Sequence, residues 1–371
     1  MRTGVAPRPD AATRAAKGRR LRLGTAIASA LVLVLTGGAS PRGTPRPGVE
    51  QGRCAPLHLR SPPGPPTRVH HRAAAVGVSE RVSRVITVGG RGGARSVPEK
   101  LSLLLPVWAG DRPDHLTAAF TSSVQEQTRP PDQVVIVRDG PVAPALAATI
   151  DELAATSPVP VEVVGLPRNI GLGPALDAGL AACTHDVVAR MDADDLSLPH
   201  RFAVQMPIIE AGHDLVGAGL VEFGAHAEDL VGTRTPPTDA ADIAERARFA
   251  DPFNHPTVVY RREVVRAVGG YTDFALMEDY LLWAKMLVAG ARVANVAEPL
   301  VRYRVGAGAY ARRGGLGQLR AELRLQWRFR RIGFTTWAQF LRNVVVRGVY
   351  RLVPERVRRA LYRKVIATYR G

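Results

Sequence analysis

Three acids close one apolar run. Val187-Val188-Ala189-Arg190-Met191 leads into Asp192-Ala193-Asp194-Asp195, followed by Leu196-Ser197-Leu198-Pro199. The run has strand length, and ligands of open α/β sheets sit beyond the carboxyl ends of strands. Carboxylates crowded there repel one another unless a cation lies between them. Oxygen ligands without sulfur or nitrogen suit Mg2+ or Mn2+, the ions that travel with phosphates. The implied chemistry is a metal–diphosphate site. The same residues also read as a solvated acidic loop with Asp195 or Ser197 capping a helix, and Asp-x-Asp alone does not decide.

Other candidates stand further along the chain. Asp139 ends the apolar run Gln133–Val137, although Asp139-Gly140 is also a common turn. Pro167-Arg168-Asn169-Ile170-Gly171-Leu172-Gly173 is a Gly-rich turn before a helix, a place where backbone N–H groups can hold phosphate. It lacks the P-loop Lys-Ser/Thr. His255, between Asn254 and Pro256, is not expected to be helical, and a lone His is more often structural than catalytic. Glu278 and Asp279 open an amphipathic stretch. As neighbours they cannot face one way on a helix, so one can cap the backbone while the other points into a cleft.

The elements that must position these groups alternate. Strands are expected at Leu101–Trp108, Gln133–Gly140, Val161–Val164 and Val187–Met191. Helices are expected at Pro113–Gln127, Val142–Ala155 and Pro174–Ala182. That alternation predicts an α/β fold with a mainly parallel, Rossmann-like sheet flanked by helices, and Asp139 and Asp192 then line one sheet edge. A strand at Asp214–Phe223 and helices at Asp239–Phe249 and Met277–Leu287 follow.

Charge divides the 371 residues into three parts. Residues 1–98 carry 17 basic and 3 acidic side chains, 99–301 carry 15 and 28, and 302–371 carry 18 and 2. The net +17 therefore describes two tails around an acidic body. The expected organisation is a basic N-terminal extension at 1–98, a catalytic domain at 99–305 and a basic helical region at 306–371. In the extension, an apolar run at 25–35 follows basic residues and precedes Gly37-Gly38-Ala39-Ser40, the layout of a secretory signal. A short membrane anchor, or sequence upstream of the true start, is favoured over export. The C-terminal region mixes Leu, Trp, Val and Phe with arginines, a pattern suited to lying on an anionic membrane surface. Packing against the body with Arg turned to water is the other reading. Cys54 and Cys183 make neither a disulfide framework nor a zinc site.

From about Leu101 onward the chain resembles glycosyltransferase family 2, the nucleotide-sugar transferases of GT-A fold. The resemblance rests on Leu105-Pro106-Val107, Arg138-Asp139-Gly140, Pro167–Gly171, Ala189–Asp195, and Gly269-Gly270-Tyr271 followed by Glu278-Asp279-Tyr280. Asn254-His255-Pro256-Thr257 and Arg312-Arg313-Gly314-Gly315 bring it nearest the amylovoran-type exopolysaccharide branch. The resemblance implies that Pro106, Val107 and Trp108 line a base pocket and that Asp139 meets the uracil of a UDP-sugar. Asn169, Gly171 and Arg190 belong to the same donor site. Asp192 and Asp194 would meet the ribose and the metal on the diphosphate, and Asp279 would be the general base. His255, Glu278, Arg312 and Arg313 are candidates for acceptor or phosphate contacts.

These implications describe a metal-dependent, inverting transferase. It would add one sugar at a time, because the Gln-x-x-Arg-Trp motif of processive synthases is missing. Its acceptor would be a saccharide, typically linked to polyprenyl diphosphate. Its place would be cytoplasmic, on the inner face of the plasma membrane, with no nucleic-acid partner. Two other readings remain open. A haloacid-dehalogenase-type phosphotransferase also uses Asp-x-Asp, but on its first strand. A basic-tailed membrane- or nucleic-acid-binding protein would leave the ordered acids unexplained.

Overall fold

The computed structural model describes residues 98–274, 276–305 and 316–352. The apolar run at 25–35, Arg312 and Arg313 lie outside the described residues. Chain order is β1 (Leu101–Trp108), α1 (Pro113–Val124), β2 (Gln133–Asp139), α2 (Pro144–Thr156), β3 (Val161–Gly165), α3 (Leu172–Ala182), β4 (Val187–Arg190) and β5 (Leu196–Ser197). It continues with α4 (Arg201–Glu210), β6 (Leu215–Phe223), β7 (Leu230–Arg234), α5 (Ala240–Ala247), β8 (Val259–Arg261), α6 (Arg262–Ala267), α7 (Glu278–Val288) and β9 (Val293–Arg304). Helices α8 (Leu316–Arg331) and α9 (Trp337–Leu352) close the described part.

Nine strands among the described residues form one sheet in the order β3-β2-β1-β4-β8-β6-β9-β5, with β7 on β6. The first four pair in parallel. The second half is mixed, with β6 parallel to β9 and the other pairs antiparallel. The unbroken apolar run of β1 is explained by cover on both faces. Leu101, Leu103, Leu105 and Val107 pack with Leu116 and Phe120 of α1 and Phe202 of α4. Leu104 packs oppositely with Leu176 and Leu180 of α3. Each such buried side chain contributes roughly 1.5–3 kcal/mol.

Two local expectations are corrected. Neither Asp195 nor Ser197 caps a helix. Leu196–Ser197 instead pairs with Val301–Arg302 of β9, and α4 begins only at Arg201. His255 lies in a single 3-10 turn, His255–Thr257, which Pro256 tolerates because it falls within the first turn.

Helices α8 and α9 are not detached. Ala321, Leu325 and Phe329 of α8 pack against Tyr280, Leu281 and Ala284 of α7. The buried Glu322 carboxylate pairs with Arg347 of α9, whose Nη1 donates to Phe249 O at 2.7 Å. Asn343 donates to Arg248 O at 2.8 Å. The C-terminal pair thereby braces the helix that opens with Glu278-Asp279. Among the described residues, no helix is long and apolar enough to cross a membrane.

Candidate active site

The parallel strands end together, so the loops after β1, β2 and β4 gather at one edge. After β4, one carboxylate oxygen from each of Asp192, Asp194 and Asp195 lies within 4.8 Å of the others. Asp195 is fully buried. Its Oδ1 accepts from Arg304 N at 2.8 Å, and its Oδ2 has no hydrogen-bond partner among the described residues. Burial, then the charges of Asp192 and Asp194, push its pKa well above the usual carboxylate range. Asp194 is pushed up by burial and by Asp192. An orphaned buried carboxylate oxygen beside two further acids could hold a hard divalent cation.

Arg190, at the end of β4, is buried. Its guanidinium meets both oxygens of Asp192, with Nη1 at 2.9 Å from Oδ2. It is a bidentate partner that holds the Asp192 carboxylate in place. Beneath the cluster, Arg201 donates to Arg190 O at 2.7 Å and to Ser197 Oγ at 3.1 Å. Burial and the Arg190 charge push Arg201 down to about 9.

Asp139 holds the neighbouring loop. Its two oxygens accept from Ile170 N at 2.7 Å and Gly171 N at 3.1 Å, while Asn169 Nδ2 approaches Asp139 O at 3.4 Å. These two amides therefore face Asp139, which replaces the reading of the turn as a phosphate cradle. Gly140 has φ +88°, and a Cβ there would lie 2.5 Å from Asn169 N, so the turn requires glycine. Of the expected base pocket only Trp108 is exposed, at the tip of β1. Val107 belongs to the core and Pro106 is buried in the sheet, because alternate residues of a doubly covered strand are both enclosed. Gly110 lies under the Trp108 ring, where a Cβ would come within 2.2 Å of it.

At the start of α7 the adjacent acids diverge. Glu278 is 8 % exposed, packs over Gly173 and is pushed up to about 7 by burial and the Asp279 charge. Asp279 keeps 22 % of its side chain exposed. Its Oδ1 accepts from Tyr280 N at 2.7 Å, and burial raises its pKa. The residue before this turn of chain, Leu276, has φ +78°, a costly conformation for a non-glycine. His255 Nδ1 lies 3.5 Å from Asp279 Oδ2, and its Nε2 is 3.0 Å from the Tyr271 hydroxyl. The ring is buried, with one nitrogen toward Asp279 and the other toward Tyr271.

Sequence reasoning missed several members. Asp195 was read with the acidic cluster and, alternatively, as a cap, but its partner Arg304 was not foreseen. Arg304 reaches the cluster from the end of β9, with Nε 2.9 Å from Asp194 O. Asp111, which accepts from Trp108 N at 2.9 Å, is pushed up to about 6 by burial and by Asp194 and Asp192. Asp251 is pushed well above its ordinary value by burial and the Asp279 charge. An acid two or three residues after a strand was the one available signal, and it fits Asp111.

Known proteins agree with this architecture. A family model described as Glycosyl transferase family 2 matches residues 112–269. An uncharacterized glycosyltransferase of Haemophilus influenzae is 38% identical over 265 residues, covering 71% of this chain and 97% of that one. The amylovoran biosynthesis glycosyltransferase AmsE of Erwinia amylovora is 35% identical, covering 71% and 98%. The UDP-Gal:alpha-D-GlcNAc-diphosphoundecaprenol beta-1,3-galactosyltransferase of Escherichia coli is 32% identical, covering 73% and 98%. Among solved structures, S. aureus TarS 1-349 in complex with UDP-GlcNAc superposes with a TM-score of 0.52 at 15% identity. It covers 68% of this chain and 72% of that one, a likeness of fold. The sheet and its helices are those of a GT-A fold, and relatives above 30% identity span nearly their whole length on this chain. The chain belongs to glycosyltransferase family 2.

Proposed function

We propose that this protein is an inverting transferase. It moves one sugar from a UDP-sugar to a lipid-linked saccharide during exopolysaccharide or O-antigen assembly. The observation that carries the reading is the Asp192, Asp194 and Asp195 cluster together with a partly exposed carboxylate at Asp279, which feels the charges of Asp192 and of its partner Arg190. Two relatives, named for amylovoran biosynthesis and for galactosyl transfer to a GlcNAc-diphosphoundecaprenol, support the pathway and the acceptor class. Asp192, Asp194 and Asp195 would hold Mn2+ or Mg2+, which supplies positive charge to a departing diphosphate.

The chain's own groups do the rest. Trp108 offers an exposed ring beside Asp139 for a nucleobase. A sugar hydroxyl is a weak nucleophile, so Asp279 accepts its proton as the C–O bond forms and the diphosphate leaves. One displacement inverts the anomeric carbon. Incubation with UDP-galactose and an α-GlcNAc-diphospholipid tests this. NMR of the product should show a β linkage, whereas an α linkage would exclude single displacement.

The acceptor class also gives meaning to the outer face of α8 and α9. Leu323, Trp327, Trp337, Leu341 and Val345 are exposed there beside Arg320, Arg324, Arg328 and Arg331. Trp327, Trp337 and Phe340 form one ring cluster, with centroids 5.6–6.4 Å apart. Aromatic rings among arginines suit an anionic bilayer, which would keep the protein at the inner membrane face. Trp327→Ala with Trp337→Ala should weaken binding to phosphatidylglycerol vesicles by about tenfold or more. Co-sedimentation unchanged by the pair would reject this face.

A further inference from the structure

The segment Asn254-His255-Pro256-Thr257 is built to present one imidazole. Thr257 Oγ1 donates to Asn254 O at 2.8 Å and accepts from Ala218 N at 2.9 Å. Asn254 Nδ2 donates to Ala218 O at 2.9 Å, and Gln205 Nε2 donates to Thr257 O at 2.8 Å. The turn is thus pinned to β6 and α4, and His255 is the one side chain of it left to face the start of α7. Its ring is caged by Trp283 at 5.9 Å, edge to face, and by Tyr271 at 5.7 Å. Only 8 % of the residue is exposed.

We infer that His255 is a positioning residue that orients the Asp279 carboxylate for proton abstraction, acting as the middle member of a Tyr271–His255–Asp279 chain. The inference rests on the reading of Asp279 as the base. A buried neutral imidazole has one donor and one acceptor nitrogen. An ionised Asp279 can only accept, so the proton belongs on Nδ1, which faces Asp279 Oδ2 at 3.5 Å, and Nε2 then accepts from the Tyr271 hydroxyl 3.0 Å away. Burial and the nearby Arg190 charge hold His255 well below its usual pKa, so the ring stays neutral. Oδ1 is meanwhile fixed by Tyr280 N at 2.7 Å. With one oxygen held by backbone and the other facing the imidazole at 3.5 Å, the pair favours one orientation of the carboxylate plane. The exposed part of the group is left to meet the acceptor hydroxyl. A base misdirected by about an ångström loses on the order of 100-fold in rate.

The test compares His255→Leu, which fills the aromatic cage without a donor, with His255→Asn, whose amide N–H takes the place of Nδ1–H. Transfer kinetics and calorimetric donor affinity are measured on the full chain, with thermal melting to confirm folding. His255→Leu should lower kcat by about 10- to 100-fold with donor KM and affinity within about twofold of wild type. His255→Asn should recover most of the rate. In an Asp279→Asn background, His255→Leu should cause no further loss. The inference is overturned if His255→Leu transfers at the wild-type rate or if donor affinity falls with kcat. It is equally overturned if Asn is no better than Leu, or if the loss repeats undiminished in the Asp279→Asn background. An Asp279→Asn enzyme at full rate would instead remove the base reading itself, so the two failures are separable.

Discussion

Asp279→Asn should lower kcat by about 10²- to 10⁴-fold while leaving donor affinity within a few-fold of wild type. The substitution keeps the size and planarity of the side chain, and the amide oxygen can still accept from Tyr280 N. What it removes is the ability to take a proton. Asp279 is partly exposed at the start of α7, whereas its neighbour Glu278 is enclosed over Gly173 and cannot replace it. Because burial raises the Asp279 pKa, its proton stays on to a higher pH than on an exposed aspartate. The wild-type rate should therefore fall on the acid side at a pH above the ordinary carboxylate range. Stopped assays of sugar transfer across pH, with calorimetry of the donor, check both statements. A variant that transfers normally would remove Asp279 from the chemistry.

Asp194→Ala should weaken donor binding on the order of 100-fold when Mn2+ is present, and removal of the ion by EDTA should do the same to the wild type. The sign of the effect without metal is the sharper test. Asp192, Asp194 and Asp195 crowd within 4.8 Å, and a diphosphate brought to them bare would be repelled. Removing one acid in EDTA therefore relieves repulsion, so metal-free Asp194→Ala should bind UDP no worse than the metal-free wild type. If Asp194 instead hydrogen-bonded the donor directly, the variant would be weaker in both conditions. Titration of UDP into both proteins, with and without Mn2+, separates the cases.

The parallel half of the sheet was legible because its strands are covered on both faces and so read as apolar runs. Leu101–Trp108 and Gln133–Asp139 emerge almost residue for residue. The acids at strand ends were legible for the same reason, since topology dictates where such loops gather. What local patterns do not carry is the partner of a residue. Asp139 was legible as an acid at a strand end, but not that its oxygens accept from amides more than thirty residues away. Asp195 read as one of three clustered acids or as a cap, and neither reading foretold Arg304 N, 109 residues on, which satisfies one of its oxygens. Leu196–Ser197 is too short to show a period, and its strand state comes from β9. Val107 and Trp108 are neighbours of similar character. Only the covering helix makes one core and leaves the other exposed.

The measurement that bears most directly on the central claim is a calorimetric titration of the 371-residue chain with UDP and GDP, each with Mn2+ and with EDTA. The account predicts binding of UDP that requires the cation and exceeds that of GDP. A folded protein that binds UDP equally well in EDTA, or that prefers GDP, would contradict it.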